Sequence, residues 1–504
     1  MSAGPTEPQR TEQISKGQPI EDDRLPQLNR ALDPLAMMRE FAALFARDYP
    51  DRALDVTGCE ILRVYHKPGK ACRIVYRVEG RDEAGATFDR VFWTQFSVDS
   101  AKGAKLDGPA PEAWPGCAPF KPLSPWPSIQ ASIHAFPHDR KLAHLGPLAD
   151  PEHVRTLVNE RRAALQLNSR WTCRGVDVHV TKYMPGSRCV LRYDLELEGP
   201  GGERLRRRIF GKTYRNTASR YVFDALRAIC ESLGEDETDL DLPRPIAHLD
   251  DHHTFWQEAW EGEPLRTRGE RLGWTPLLGN ASGWMARTGR ALARLHAVPP
   301  PPGLKPGPAP EKILANAAGD AADILAFLPE RRDLLMELVD TLTAAAPEPG
   351  GPPARTLIHG TFKVAQILCR DDGLAIVDFD SVAAGDPMYD VAEFVASLVY
   401  LQIKEEVPAE ATTRAVSTFL AAYEDAVSWP CHRQHIAWYV VAFLLGKIHS
   451  TLKRQQAGDD SSLRAALGLA STWLAVASGA ENGRGFQLAS QGASTTTLDR
   501  SQTA

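Results

Sequence analysis

The stretch Leu357–Phe394, "LIHGTFKVAQILCRDDGLAIVDFDSVAAGDPMYDVAEF", alternates short apolar runs with polar residues that can carry chemistry. "TLIHG" and "LAIVDFD" read as two short strands around the loop "TFKVAQILCRDDG". Asp378 and Asp380 close the second strand, and G-D-P-x-x-D follows it. Phosphoryl transfer from ATP needs carboxylates that hold Mg²⁺, a cation on the donor phosphates and usually a base near the accepting hydroxyl. The stretch offers the carboxylates for such a site.

The cation and a nucleotide-binding segment have candidates upstream of this stretch. "RIFGKTY" places Lys212 at the end of an apolar strand, where a lysine either holds phosphates or extends along a sheet edge into solvent. "TFWQEAWEGEPL", from Thr254 to Leu265, reads as a strand that runs into a glycine turn. The helix "ARTGRALARLHAV" ends near His296, which we interpret as a helix-terminal residue rather than a ligand.

The first half of the chain contains two similar segments. "ILRVYHKPGKACRIVYRVEG" begins at Ile61 and "VHVTKYMPGSRCVLRYDLELEG" at Val178, and their Pro, Gly, Cys and Tyr residues match at a constant separation of 117 positions. Each copy reads as a helix, a strand, a Pro-Gly turn and two further strands. The separation sets Gln95 opposite Lys212, and a neutral amide cannot neutralise phosphate, so we interpret the first copy as structural. We expect the first sheet unit to stack beside the second or to cap it.

Composition excludes several classes of protein. The net charge of −6 provides no basic surface for nucleic acid, and the longest apolar run, Ile436–Gly446, is too short to span a bilayer. The amino terminus has no apolar signal sequence. Eight scattered cysteines indicate reduced thiols, and the predicted location is cytoplasmic.

From about Val176 to Gly479 the chain resembles the aminoglycoside phosphotransferase and choline-kinase family, which has a protein-kinase-like fold. The matching segments are "FGKTY", "QEAWEGEPL", "GRALARLH", "LIHGTFKVAQIL", "IVDFD" and "GDPMYDVAEF". The resemblance implies an α+β two-lobe fold, with a duplicated antiparallel-sheet N-lobe and a mainly helical C-lobe. It also implies ATP and Mg²⁺ as cofactors.

The resemblance assigns roles to individual residues. It implies that Lys212 binds phosphates and that the backbones of Gln257, Glu258 and Trp260 form the adenine-binding hinge. The implied metal ligands are Asp378, Gln366 and Asp380. The implied catalytic positions are His359, Thr361 and Lys363, of which Lys363 either contacts the transferred phosphate or is a solvated loop residue. Asp386 and Asp390 match the carboxylates that support the catalytic loop.

The sequence departs from the family pattern H-G-D-x-x-x-x-N at two of these positions. Thr361 replaces the aspartate and Gln366 the asparagine. Glutamine keeps the amide oxygen for a metal, but threonine cannot accept a proton near neutral pH. No glutamate is evident as a partner for Lys212, although Asp224 and Glu231 are candidates, and "YMPGSRC" stands where protein kinases have a glycine-rich loop.

Two functional hypotheses follow from the motifs and the departures. The first is a slow phosphotransferase that binds nucleotide and acts on an unknown small hydroxylated or aminated molecule. The second is an inactive pseudokinase that serves as a binding or regulatory module for a protein partner. The predicted domains are a disordered tail (1–30), a degenerate first sheet unit (31–150), a kinase-like N-lobe (151–260), a helical C-lobe (261–480) and a second disordered tail (481–504).

Overall fold

We analysed a computed structural model of the chain, which describes residues 22–67, 69–98, 114, 116–234, 240–279, 283–347, 355–371, 373–404, 407–452 and 460–478. The chain forms two compact units. The first unit contains the residues up to Arg220 together with Ile246–Gln257, and the second contains Tyr221–Pro245 and most of the chain from Glu258 onward. The predicted boundary at residue 150 therefore falls inside the first unit.

The first unit contains two five-stranded sheets with the same strand order. The first sheet has the order β1-β2-β3-β5-β4 and the second the order β6-β7-β8-β10-β9. The strands of the first sheet are β1 Asp55–Lys67, β2 Ala71–Arg81, β3 Thr87–Ser97, β4 Leu123–Trp126 and β5 Ala131–Ala135. Those of the second are β6 Thr172–Met184, β7 Arg188–Glu198, β8 Arg204–Tyr214, β9 Pro245–Leu249 and β10 Thr254–Glu258. The first three strands of the two sheets have identical lengths and are 117 positions apart.

Two helices precede each sheet, and the second helix of each pair begins with an aspartate cap. They are α1 Leu28–Ala31, α2 Pro34–Asp48, α3 Leu145–Ala149 and α4 Pro151–Glu160. Asp33 accepts hydrogen bonds from backbone N–H groups of α2, and Asp150 does so for α4. The segment "EHVRTLVNERRAALQLN" is helix-like in its sequence, but α4 ends at Glu160 and turns follow as far as Gln166. Gln166 has φ 58, which an α-helix cannot contain.

Matched hydrogen bonds hold corresponding parts of the two sheets. Asp22 accepts a hydrogen bond from Gly69 N–H (2.9 Å), and Asp139 accepts one from Gly186 N–H (2.6 Å). Each glycine has positive φ and follows the proline of the predicted Pro-Gly turn, although Pro68 lies outside the described residues. In the same way, Tyr76 Oη donates to Ala31 O, and Tyr193 Oη donates to Leu148 O. Both pairs of bonds repeat with the separation of 117 residues.

The two faces of the first sheet contribute to different cores. Ile74, Tyr76 and Val78 pack with Phe41 and other residues of α1 and α2. Val75 and Trp93 point the other way and belong to one buried cluster with residues of α3, α4 and the second sheet. Polar contacts join the same regions, because Tyr65 Oη donates to Tyr183 O and Arg73 Nη1 to Pro185 O. The first sheet unit therefore stacks on the second, as we expected.

The second unit is mainly helical. It contains the part of α5 (Ala218–Leu233) that follows Arg220. Its other helices are α6 Leu265–Leu272, α7 Trp274–Gly279, α8 Trp284–Ala297, α9 Pro310–Phe327, α10 Arg332–Ala344, α11 Pro387–Lys404, α12 Ala409–Glu424, α13 Arg433–Leu452 and α14 Asp460–Ala477. Its strands are β11 Glu263–Pro264, β12 Thr356–Ile358, β13 Ile367–Arg370, β14 Gly373–Ile376 and β15 Ala383–Gly385. Antiparallel sheets followed by a helical part confirm the predicted α+β class.

Two sequence predictions need correction, and a third concerns residues that the structure does not describe. The segment that we predicted as a loop between two strands contains a strand of its own, β13, which pairs with β14 in a hairpin. Residues 22–30 are not part of a disordered tail, because Leu25 and Leu28 are buried in the first core. Residues 1–21 and the predicted tail 481–504 lie outside the described part of the chain.

All eight cysteines are unpaired, in agreement with the prediction of reduced thiols. Within the described ranges, no helix has the length and apolar character that crossing a membrane requires.

Candidate active site

The loop after β12 is held by a buried carboxylate on α11. Asp390 Oδ2 accepts the N–H of His359 (2.6 Å), and Oδ1 accepts the N–H of Gly360 (2.9 Å). Gly360 has φ 80, and a Cβ at this position would collide with the carbonyl oxygen of Ser381. Asp390 therefore supports the loop, as the resemblance implied. Asp386 accepts Met388 N–H at the start of α11 and the hydroxyl of Tyr439, so its recorded contacts secure helices rather than the loop.

His359 is fully buried and contacts Thr361, which stands where the family pattern has its catalytic aspartate. Its Nε2 lies 3.0 Å from Val377 O, and because a carbonyl only accepts, Nε2 carries the proton. Its Nδ1 accepts the N–H of Thr361 at 3.3 Å and lies 3.5 Å from Thr361 Oγ1. These contacts connect His359 to Val377 and Thr361, and the Thr361 hydroxyl lies beside an imidazole rather than a carboxylate.

The predicted metal ligands are brought to one end of the β13–β14 hairpin. Val377 N–H donates to Gln366 O (2.9 Å), which sets Gln366 beside the residue that precedes Asp378. Gln366 is buried, and its side-chain Oε1 has no hydrogen-bond partner among the described residues. Asp378 has φ 72, a left-handed conformation that directs the chain into the turn containing Asp380.

These residues fit a magnesium ion chemically. A buried amide oxygen without a partner is costly unless a donor or a cation satisfies it, and amide and carboxylate oxygens are hard ligands that suit Mg²⁺. No cluster of three or more His, Cys, Asp or Glu side chains in the described ranges is arranged for a metal. A kinase-type site does not require one, because phosphate oxygens and water complete the octahedron.

Lys363 lies in the same loop and is half-buried. It precedes a single 3₁₀ turn, Val364–Gln366, and its carbonyl oxygen accepts Gln366 N–H at 2.9 Å. The loop thus carries Thr361, Lys363 and Gln366 within seven positions of His359, all in the second unit.

Lys212 and Gln257 belong to the first unit. Lys212 is buried on β8, and its Cα is paired with that of Val190 on β7. The neighbouring Thr213 shares a buried hydroxyl contact of 2.8 Å with Thr254 on β10. Gln257, the last residue of the unit in this segment, is also buried. At the matching place in the first sheet, Gln95 Oε1 accepts Arg73 Nε at 2.6 Å.

The remaining hinge residues belong to the second unit. Glu258 N–H donates to Arg244 O at 2.8 Å, so this N–H is already hydrogen-bonded within the chain. Trp260 Nε1 donates to Asp241 Oδ2 (2.9 Å), and the Arg370 guanidinium lies over the indole at 4.7 Å. The Trp260 side chain is therefore held by two contacts, one with Asp241 and one with Arg370.

Asp224 and Glu231, the two candidates for a partner of Lys212, both lie on α5 within ion-pair distance of Arg227. The distances are 3.7 and 3.8 Å, and both carboxylates are substantially exposed. Arg227 on the same helix therefore lies within ion-pair distance of both candidates.

One polar group in this region, Glu393 on α11, was not predicted from the sequence. It follows Asp390 by one helical turn within the otherwise apolar segment "VAEFVASL". Its Oε2 is buried and has no hydrogen-bond partner among the described residues. A lone acidic residue in an apolar helix segment is the signal that could have identified it, because unpaired glutamates are rarely buried.

Comparisons with known proteins are consistent with this arrangement at the level of sequence. Residues 208–438 match the model of the phosphotransferase enzyme family. No curated protein matched the chain.

Several solved structures are similar at low identity. A choline/ethanolamine kinase family protein from Mesorhizobium loti is 15% identical, with 62% of this chain and 92% of that chain covered and a TM-score of 0.36. A choline kinase from Cryptosporidium parvum is 12% identical, with 64% and 94% covered and a TM-score of 0.39. The GDP complex of aminoglycoside 2'-phosphotransferase-IIIa is 14% identical, with 65% and 99% covered and a TM-score of 0.38.

The match to the family model covers less than half of the chain and includes the motifs identified in the sequence. The matched range contains the Lys212 strand, the loop with His359 and Gln366, and the Asp378 and Asp390 motifs. Over residues 208–438 the chain is similar to the phosphotransferase enzyme family.

Proposed function

We propose that the protein binds ATP with Mg²⁺ and transfers the γ-phosphoryl group slowly to a small hydroxylated or aminated molecule. The observation that carries the proposal is the buried Oε1 of Gln366, which lacks a hydrogen-bond partner at the family's metal-ligand position. A chain that had lost the nucleotide site would gain stability by replacing this glutamine with an apolar residue.

In this proposal Asp378, Gln366 and Asp380 hold the metal ion, which neutralises charge on the phosphates. Lys212 binds the donor phosphates, and the backbones of Gln257, Glu258 and Trp260 contact the base. Asp390 and His359 keep the loop in place. Because the transition state of phosphoryl transfer is loose, positioning and charge neutralisation supply most of the rate, and a weak base permits turnover.

A second candidate function is supported by Thr361. Its hydroxyl faces His359 Nδ1, and no carboxylate stands at this position in the loop. This favours a protein that binds nucleotide as a regulatory signal without turnover. In both candidates we interpret the first sheet unit as a repeat without a nucleotide site of its own, because the Gln95 side chain accepts a hydrogen bond from Arg73.

Calorimetric titration with ATP, in the presence and absence of Mg²⁺, tests the proposal. We expect Mg²⁺-dependent binding by the wild type and at least about a tenfold weaker Kd, or about 1.4 kcal/mol, for Asp378→Ala. Asp371→Ala is the matched control, because Asp371 lies on the same hairpin with a 98% exposed side chain. Absence of binding at millimolar ATP by the wild type would refute the nucleotide site.

Release of inorganic phosphate then separates the two candidates. Slow, Mg²⁺-dependent release supports the phosphotransferase, whereas binding without release supports the regulatory module.

A further inference from the structure

Glu393 lies on the side of α11 that carries the loop. Asp390, three positions before it, accepts the N–H groups of His359 and Gly360. Ser397, four positions after it, accepts the N–H of Val364 at 3.4 Å through Oγ. Residues at these spacings share one face of a helix. The loop therefore runs along this face from residue 359 to residue 364, and Glu393 lies between its two attachment points.

Ring packing fixes the same register. Phe362 and Phe394 have ring centroids 5.3 Å apart, so the middle of the loop is packed against the turn of α11 that contains Glu393. Asp390 and Ser397 are about 10 Å apart along the helix axis, at 1.5 Å per residue. Glu393 thus lies on the turn of α11 against which the middle of the loop packs.

The charges around Glu393 come from the loop and from two helices. The pKa of Glu393 is raised to about 7, mainly by burial and to a smaller extent by the neighbouring Asp390. Lys447 on α13 and Lys363 in the loop act in the opposite direction. Tyr389 on α11 is close enough for the Glu393 charge to raise its own pKa. A carboxyl that titrates near neutral pH is suited to accept a proton during turnover.

We propose that Glu393 is the general base of the reaction, in place of the carboxylate that the family has at the position of Thr361. This role for Glu393 rests on the phosphotransferase function proposed above. The oxygen of the acceptor hydroxyl forms a bond to the γ-phosphorus of ATP. The bond between that phosphorus and the β,γ-bridging oxygen breaks, and its electron pair remains on ADP. The hydroxyl proton passes to the Glu393 carboxylate and leaves to solvent in a later step.

Hydrolysis of ATP tests the proposal, with water as the acceptor and inorganic phosphate as the measured product between pH 5.5 and 9. For the wild type we expect kcat to rise with pH through about 7, because the carboxylate is the active form. Glu393→Gln should lower kcat by about 10²–10⁴-fold and abolish this rise while leaving the Kd for ATP unchanged. Glu393→Asp should retain part of the activity, and in the Glu393→Gln background Thr361→Asp should restore it.

The controls distinguish the base from the nucleotide site. Glu410→Gln on α12 removes an exposed carboxylate and should leave kcat unchanged. A Glu393→Gln variant with wild-type kcat, or with the rise near pH 7 intact, would overturn the proposal while the proposed function stands. A wild type that binds ATP but releases no phosphate would overturn the base and the transferase together and leave the nucleotide site. A wild type that does not bind ATP would overturn all three.

Discussion

Asp390 is fully buried, and three groups that are distant in the sequence converge on its two oxygens. Besides the two loop N–H groups, His296 Nε2 lies 3.2 Å from Oδ2, and His296 Nδ1 lies 2.8 Å from the hydroxyl of Tyr423. Our interpretation of His296 as a helix-terminal residue was correct in its location, because α8 ends at Ala297. The sequence could not indicate its contact with Asp390, since 94 positions separate them.

The protonation of Glu393 has a consequence for stability that can be measured without substrate. Burial holds its pKa at about 7, above the ordinary value of 4.5, so the folded state binds the proton more tightly than the unfolded state. The penalty for ionising the buried carboxyl therefore grows as pH rises from about 4.5 to 7 and is complete above 7.

We accordingly expect Glu393→Gln to raise the free energy of unfolding by about 1–3 kcal/mol at pH 8 and by much less at pH 5. Urea unfolding of the two proteins at both pH values measures this difference. An equal effect at both pH values would show that the carboxyl is not held in its neutral form.

The sequence predicted the hairpin turns of the first unit but not the residues that hold them. The Pro-Gly pairs correctly predicted turns between strands, because only glycine readily adopts the φ values of 61 and 71 found there. The aspartates that hold these turns, Asp22 and Asp139, are 47 positions before the glycines they contact. No local pattern connects residues at that distance, so the prediction missed both.

Asp139 should be the more important of these two aspartates. It is buried and accepts the hydroxyl of Tyr183 and the N–H of Gly186 through Oδ2, together with N–H groups of Lys141 and Leu142 through Oδ1. Asp139→Ala should lower the free energy of unfolding by about 2–4 kcal/mol, since it leaves buried donors without acceptors.

For Asp22→Ala we expect a smaller loss that depends on pH. Burial alone would raise the pKa of Asp22, but hydrogen bonds from Gly69 and His66 outweigh it and hold the pKa below its ordinary value. Its contribution to stability is therefore present above the ordinary carboxyl pKa and is lost as pH falls through the lowered value. Thermal unfolding between pH 3 and 7 measures it, with Asp82→Ala at the exposed β2–β3 turn as the control.

Across the whole molecule, the sequence predicted the order of elements better than their packing. The repeat and the motifs predicted the α+β class and the stacking of the first sheet unit on the second. They did not show which residues make that contact, because Val75 and Val78 are both apolar residues of β2 and differ only in the face that they occupy. Alternation gives two faces to a strand but does not say what covers each of them.

Val75→Ala and Val78→Ala form a matched pair that tests this packing. Each should lower the free energy of unfolding by about 1–3 kcal/mol through lost burial and a cavity. In hydrogen–deuterium exchange, Val75→Ala should increase exchange in α3 and α4, whereas Val78→Ala should increase it in α1 and α2. Unchanged exchange in residues 145–160 of the Val75 variant would contradict a shared core.

The left-handed backbone of Asp378 implies a conflict between stability and chemistry at one position. A left-handed conformation costs an L-residue about 1–2 kcal/mol, and glycine adopts it without that cost. Asp378→Gly would relax the backbone and remove the carboxylate in a single step. If selection acted on folding alone, this position would favour glycine. In the function that we propose, the Asp378 carboxylate holds the metal ion, and this contribution offsets the loss of stability.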